Sequence, residues 1–567
     1  MSNPETFSLS SQPIKKEHDE DLLDTDVPKP FEGDLEAGND LNAPMSDDEL
    51  SRYETEVEMS RQATRRLNGV EKIVSAASKA SGPIPVMGKG RPHPPHVGKL
   101  EDYAVSFDGP DDPLIPQNWS FAQKMKIMFA VGLVSLSSTL GSGIYSAAIP
   151  HIMEEFHVGR TAATLSTALY VFGFASGPVF WGPLSELYGR QIVFYPTTLM
   201  FICFAFAVAT AHDIQTIMLG RFFAGFAGAA PLVVAPGAMA DIFNNEQRGS
   251  AIAIFAVIVF GGPMLAPIFG AFAEKSGDLG WRWCSYFSGL VGVVALLALV
   301  FCFKETHHAL ILVNKAETIR RRTGNWAVHA PHEEVNLSLK EVCETNILRP
   351  LKMLFTEPII FLITLYNSFI YGLLYGFLTA IPLIFQGQYK WRSGIAELPY
   401  LSMLLGIFLG GACCFYFEGR YNKAMRANGG KPVPEERLIP MMVGGIPFGA
   451  GILWMGWAGY QGDKVHWIVP TIGICFIGFG LITIFLPCLN YIIDCYLMFA
   501  ASALAANTFM RSMFGGAFPL FARQMFVNMH IQWASTLLGC VGLAMVPVPF
   551  LFYKFGKSIR LKSKFAF

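Results

Sequence analysis

The stretch WGPLSELYGR, Trp181 to Arg190, sets Gly182, Ser185, Glu186, Gly189 and Arg190 between two long apolar runs, each of which could cross a bilayer. A short, charged, glycine-marked segment in that place reads as a tight hinge between two membrane helices. Glycine permits the close turn that a side chain would block, and Glu186 and Arg190 offer opposite charges to neighbouring helix ends at the membrane surface.

Working outward, composition supports a membrane chain. Over 567 residues 52% are hydrophobic and only 15% charged, with a mean hydropathy of +0.38, which is too apolar for a soluble protein of this size. The net charge of −1 gives no footprint for nucleic acid. The ten cysteines lie mostly inside apolar runs, among them Cys203, Cys302, Cys413, Cys414, Cys475 and Cys540, without metal-site or disulfide spacing, so they read as small core hydrophobes and no metal site is expected. Met1 opens a polar stretch with no apolar core, so no signal peptide is expected. Residues 1–121 are rich in Asp, Glu, Ser, Pro and Lys and are expected to be a disordered cytoplasmic tail.

A hydrocarbon core of roughly 30 Å needs about 20 apolar residues of helix. Runs of that kind fall near 124–149, 162–182, 192–211, 215–240, 249–273 and 283–303, then near 357–386, 396–417, 438–460, 466–488, 491–521 and 532–554. The sequence thus predicts an all-α membrane protein of twelve helices in two groups of six, 122–303 and 353–555, with a charged linker over 304–352 and a basic tail over 556–567. Lys and Arg crowd the linker, the stretch from Arg420 to Arg437 and the tail, which puts both termini in the cytoplasm.

Arg221, in the fourth run RFFAGFAGAA, is a permanent charge within a lipid-spanning segment and by default marks a transport pathway; Gly225 and Gly228 follow where they would let another helix approach. In the fifth run, FGGPMLAPIFGAF, Gly262, Pro263, Pro267 and Gly270 predict a bent, tightly packed helix at an interface between the halves. Asp241 at the end of the fourth run shares a side with Glu186 and Arg190, so the three are expected to form a cytoplasmic latch. No acidic residue sits mid-run; carboxylates stand at the run ends as Glu186, Asp241, Glu305, Glu397 and Asp494. Glu397, Asn367, Tyr371, Tyr375, Asn507 and Arg511 are, with Arg221, the candidates for lining a substrate and proton path. The segment FEGRYNK, Phe417 to Lys423, reads as a worn second copy of the hinge, with Glu418, Gly419 and Arg420 matching Glu186, Gly189 and Arg190. A membrane enzyme would need a nucleophile with its base or a metal cluster, and the nearest approach, Glu305 with His307 and His308, has weak ligand geometry.

The pattern G-x-L-S-E-x-x-G-R over Gly182 to Arg190 resembles the signature loop of the major facilitator superfamily, Arg221 with Gly225 resembles its fourth-helix motif, and FGGPMLAPIFGAF resembles the helix 5 antiporter motif of its drug exporters, with Ala266 and Pro267 where a glycine pair is usual. The runs ETHHALILVNKA, YNSFIYGLLYG, IFLPCLNYIID and SALAANTFMRSMFG are similar to the fungal twelve-helix drug:proton antiporters, above all the yeast polyamine exporters. That resemblance implies a monomeric, cofactor-free, proton-coupled exporter of polyamines or of cationic and hydrophobic drugs, set in the lipid bilayer of the plasma membrane or, alternatively, the vacuolar membrane. The alternatives are a multidrug or weak-acid exporter without polyamine activity, and a transporter-like sensor that binds without moving substrate.

Overall fold

Inside a bilayer the backbone has no water to bond, so each apolar run must close its own hydrogen bonds, and each does so as a helix. The structure, a computed structural model, describes residues 84–93, 100–274, 280–334, 344–561, 563 and 565. The first apolar run forms α1 (Phe121–Gly143), and a short α2 (Ile149–Glu155) leads into α3 (Arg160–Tyr188). Then come α4 (Arg190–Ala209), α5 (Ile214–Ile242), α6 (Asn245–Ala273) and α7 (Arg282–Cys302). The linker carries α8 (His308–Thr323) and α9 (Arg349–Thr356). The second half holds α10 (Pro358–Pro382), α11 (Tyr400–Ala427), α12 (Ile439–Tyr460), α13 (Ile468–Cys495), α14 (Ala500–Asn528) and a final pair, α15 (His530–Met545) and α16 (Pro547–Arg560).

Among the described residues eleven helical segments are long and apolar enough to span a membrane, the last made of α15 and α16 together. The 29-residue α14 has the length but is less apolar, since it carries Asn507, Arg511 and Arg523. Two expected boundaries move. The eleventh helix starts at Ala500 rather than near 491, because α13 continues through Pro487 to Cys495; proline is tolerated inside a spanning helix when neighbours satisfy the freed carbonyl. Likewise α11 runs to Ala427, ten residues past the expected 417.

In the first half α3 packs on α5, α5 on α4, α4 on α7, α7 on α1 and α1 on α6; in the second, α10 packs on α14, α11 on α13, α13 on α12 and α12 on α15. The two halves meet along α3 with α14 and α6 with α11. Close crossings depend on missing side chains: a Cβ on Gly225 of α5 would collide with the Tyr170 carbonyl of α3. The glycines of the fifth-run motif serve a different contact from the one expected. A Cβ on Gly262 or Gly270 would strike Thr139 or the Ile144 carbonyl, at the α1 end of the same half, while Pro263 and Pro267 sit buried within α6. The face of α6 turned to the other half carries Val257 and Gly261, against Gly411 and Leu404.

The expected disordered tail falls mostly on residues 1–83 and 94–99, and part of the basic tail on Lys562, Lys564, Ala566 and Phe567; all of these lie outside the described residues. Between Tyr103 and Ser106, and again at Met87, the expectation of disorder fails. Met87, Tyr103 and Val105 are buried against Val313, Ala316 and Ile319 of α8 and against Val328 and Ala330. Val105 N–H donates to the His329 carbonyl at 2.8 Å, His329 N–H to the Tyr103 carbonyl at 3.1 Å, and Lys315 Nζ to the Ser106 carbonyl at 3.1 Å. A few apolar residues spaced through a polar segment suffice once the linker helix supplies the other half of the small core.

Candidate functional site

Gly189 makes the turn the sequence predicts, as a single residue. Its φ is 97°, a conformation that disfavours any side chain, and a Cβ there would run into Leu310 and Glu305 of the linker. Gly182, Pro183, Ser185 and Glu186 stand instead in the last turns of α3. The next helix begins at once, and its free N–H groups are taken by the linker: Glu305 accepts from the backbone of Arg190 at 3.0 Å and of Gln191 at 2.9 Å. A carboxylate on a helix N-terminus satisfies orphan donors and complements the dipole.

The Arg190 side chain bonds Asp241 Oδ2 at 3.3 Å and Ser185 Oγ at 2.8 Å, and Thr306 adds a bond to the same Asp241 oxygen at 3.3 Å. Two of the three expected latch charges therefore meet. Glu186 does not join them; it is exposed and forms no ion pair among the described residues. The imidazole of His307 adjoins this cluster and is held neutral, its pKa lowered to about 4 by burial and by the charge of Arg190.

The second half repeats the device with a different arginine from the one expected. Arg437, in the turn before α12, pairs with Glu418 of α11 and with Asp494 of α13 at 3.1 Å, while Tyr421 donates to the same Asp494 oxygen at 2.7 Å. Arg420 instead lies at the surface against Glu436 at 3.3 Å, and a Cβ on Gly419 would meet open space, so no tight turn exists there. Because α11 overruns the expected boundary, the chain re-enters with Arg437 at the place that Arg190 holds in the first half.

Between these two ion-pair clusters a cavity of about 350 Å³ opens at the end of the molecule that carries the linker. Gly182 and Glu186 of α3, Gly237 of α5, Arg248 of α6, Asn490 of α13 and Ala500 of α14 edge its mouth. Deeper, the wall is Phe255, Phe260, Tyr371, Phe485, Leu489 and Arg511. Only two of the expected path residues, Tyr371 and Arg511, reach it. The Arg511 guanidinium lies 5.0 Å from the Tyr371 ring centroid and 5.1 Å from that of Phe485. Sequence reasoning missed Phe260 and Phe485, whose apolar side chains look like any core residue until α6, α10, α13 and α14 bring them to one surface.

The other candidates sit apart from the cavity wall. Tyr375, one turn beyond Tyr371, donates to Ser142 Oγ of α1 at 2.9 Å and closes the molecule at the opposite end. Arg221 is buried behind it, donating to the carbonyls of Gly141 at 2.7 Å and Ser166 at 3.3 Å, with its guanidinium 4.6 and 4.3 Å from the rings of Tyr145 and Tyr170. Asn367 and Asn507 are fully buried and bonded to each other at 2.9 Å between α10 and α14. Glu397 is buried at the end opposite the linker, its Oε1 accepting from Gln386 at 3.0 Å and its Oε2 without a hydrogen-bond partner.

Two helix sets around a central cavity, each with an arginine–carboxylate cluster at one end, are accompanied by a match to the Major Facilitator Superfamily over residues 131–519. The chain belongs to that superfamily. It is a membrane transporter, not an enzyme. Among curated proteins it is 61% identical over 521 residues to the major facilitator superfamily multidrug transporter FLU1 of Candida albicans, covering 92% of this chain and 85% of that one. To the multidrug transporter TPO1_2 of Candida glabrata it is 47% identical over 519 residues, covering 92% and 89%. Among solved structures the proton:xylose symporter XylE of E. coli aligns with a TM-score of 0.56 at 13% identity, covering 77% of this chain and 96% of that one. The human organic anion transporter MFSD10 aligns at 0.52 and 15%, covering 76% and 99%. At such identity these structures speak for the superfamily fold alone.

Proposed function

We propose that this superfamily member is a proton-coupled antiporter that exports hydrophobic, drug-sized molecules, entering from the cytoplasm through the cavity at the linker end. The observation that carries the reading is the cavity itself: drug-sized, walled by aromatic and aliphatic side chains, and open at the end of the molecule that carries the basic linker, which in this reading faces the cytoplasm. The relatives named as multidrug transporters support the same substrate class. In this reading α14, placed between α10 and α3, is a twelfth membrane span, and the protein is a monomer of two six-helix bundles in the plasma membrane. Polyamine export, which the resemblance implies, ranks second. A polycation needs acidic groups along its path, and the acidic side chain on the cavity wall is Glu186, at the mouth.

Glu397 is the proton site in this proposal. It is buried, at 4% exposure, and unlike the equally buried Glu357, which accepts from Tyr496 and Ser563, it has one oxygen without a hydrogen-bond partner. The Arg190–Asp241 cluster, within the first half, and the Arg437–Asp494 cluster, within the second, then act as latches that hold one arrangement of the linker-end turns of their own half and let go in the other. Efflux of a neutral azole and of labelled spermidine from transporter-deleted yeast, at two external pH values, tests the reading. Azole efflux that is faster at acid external pH supports it; efflux of spermidine alone, or none of either at normal surface expression, contradicts it. Glu397→Gln is expected to keep drug binding and to lose the external pH dependence.

A further inference from the structure

Glu357 is a buried carboxylate with no part in the proton path proposed above. It stands just before α10 and pairs with no cation among the described residues; its Oε2 accepts from the Tyr496 hydroxyl at 3.0 Å and from Ser563 Oγ at 2.6 Å. Ser563 lies past the end of α16, so the chain turns back here onto the linker end of the second half. The Phe565 ring packs edge-on against Phe499 at 5.4 Å, and Arg560 holds Glu435 at 2.7 Å. Tyr496 and Phe499 belong to the turn between α13 and α14, and the residues that follow it, Ala500, Ala501 and Leu504, form part of the cavity wall. The docked tail therefore braces the start of a cavity helix.

Around the hydroxyl the sequence reads Arg560-Leu561-Lys562-Ser563-Lys564, a serine set among cations. Protein kinases with acidic substrate grooves select serines of that kind by charge complementarity. The docking contacts are few, so the tail opens locally at small cost and exposes the hydroxyl. Resting on the export reading only for the cytoplasmic placement of this end, we infer that Ser563 is a phosphorylation site and that its phosphate releases the tail from the start of α14. In the transfer the Ser563 oxygen forms a bond to the γ-phosphorus of ATP, the bond from that phosphorus to the β-phosphate oxygen breaks, ADP leaves, and the hydroxyl proton passes to the kinase's base. The product no longer donates from Oγ, and it sets about two negative charges against the Glu357 carboxylate in a part-buried place where repulsion is weakly screened.

Purified transporter in detergent, treated with MgATP and the catalytic subunit of cyclic-AMP-dependent protein kinase, which selects basic flanks, tests it. Mass spectrometry is expected to find phosphate on Ser563, and none at that position in Ser563→Ala. Hydrogen exchange of the backbone amides from Tyr496 to Ala501 is expected to quicken about tenfold or more on phosphorylation, since the lost hydroxyl bond adds to the repulsion. Glu357→Gln removes the opposing charge, so the same phosphate should then change that exchange by less than about twofold. Ser563 left unmodified under conditions that phosphorylate a free peptide of residues 556–567 overturns the inference. So does a phosphorylated tail that leaves the exchange unchanged, its phosphate captured by Arg349 or Arg560 instead of expelled. The two forms of the unaltered protein decide the matter even if a variant does not fold. Because neither the reaction nor the exchange involves transport, absence of drug efflux contradicts the export reading alone.

Discussion

The Tyr375 hydroxyl donates to Ser142 Oγ at 2.9 Å, joining α10 of the second half to the end of α1 in the first, directly beyond the cavity's deepest residues. Tyr371, four residues earlier, faces the cavity, and the two tyrosine rings meet edge to face at 5.2 Å. One turn of α10 thus separates the space that receives substrate from the bond that closes the far end. Tyr375→Phe removes that bond and, besides it, only the longer contact of the Tyr375 hydroxyl with that of Tyr371 at 3.5 Å. A net contribution of about 1 kcal/mol predicts that the balance between the two access states moves by about fivefold toward opening at the far end. Labelling of a cysteine placed at that end measures it, and an unchanged labelling rate would show that the bond does not hold the closure.

The ion pair between Arg190 and Asp241 yields a second prediction. Each group is partly buried and each has a further partner, Ser185 and Thr306 respectively, so the pair is more than a loose surface contact. In a double-mutant cycle the two should couple by about 0.5–3 kcal/mol in transport at equal surface expression, with the exchange Arg190→Asp plus Asp241→Arg better than the summed single defects allow. Glu186→Gln should cost far less, because Glu186 has no ion-pair partner among the described residues. Additive losses would mean that Arg190 and Asp241 act separately.

Glycine substitutions separate the real turn from its apparent copy. Gly189→Ala forces a side chain into a positive-φ residue and against Leu310 and Glu305, so surface expression should fall severely. Gly419→Ala, inside α11 with open space around it, should be neutral or slightly stabilising. Equal loss at both positions would contradict this account of the hinge.

The pH dependence of stability should carry the mark of His307. Burial and Arg190 lower its pKa from 6.5 to about 4 in the folded state, with His332 and His308 adding to the effect and Asp241 opposing it. The unfolded chain therefore binds the proton first, and stability is lost as pH falls from about 6.5 toward about 4. His307→Asn should lose less melting temperature than the unaltered protein between pH 7 and pH 5. An identical loss would show that other groups account for the acid sensitivity.

Which of these features the sequence reveals depends on how local their physics is. The turn at Gly189 and the pairing of Arg190 with Asp241 are legible because a glycine and charges at helix ends have few other roles there. Arg437 is not, because α11 overruns its apolar segment and the arginine that completes the cluster returns from a later turn. The Asn367–Asn507 bond and the carbonyl cage of Arg221 are packing solutions, indistinguishable in sequence from groups that line a path. Proline misleads at Pro487, where a helix that looks finished in the sequence continues to Cys495. The segment holding Met87, Tyr103 and Val105 is hidden by its polar neighbours, since its core is completed only by α8.

Transport by purified protein in sealed vesicles, with an imposed pH gradient and no ATP, tests the central claim most directly. The account predicts that a neutral azole moves against its own gradient when protons flow the opposite way, and that the movement stops when a protonophore removes the gradient. Azole movement indifferent to the pH gradient, or in the same direction as the protons, would contradict it.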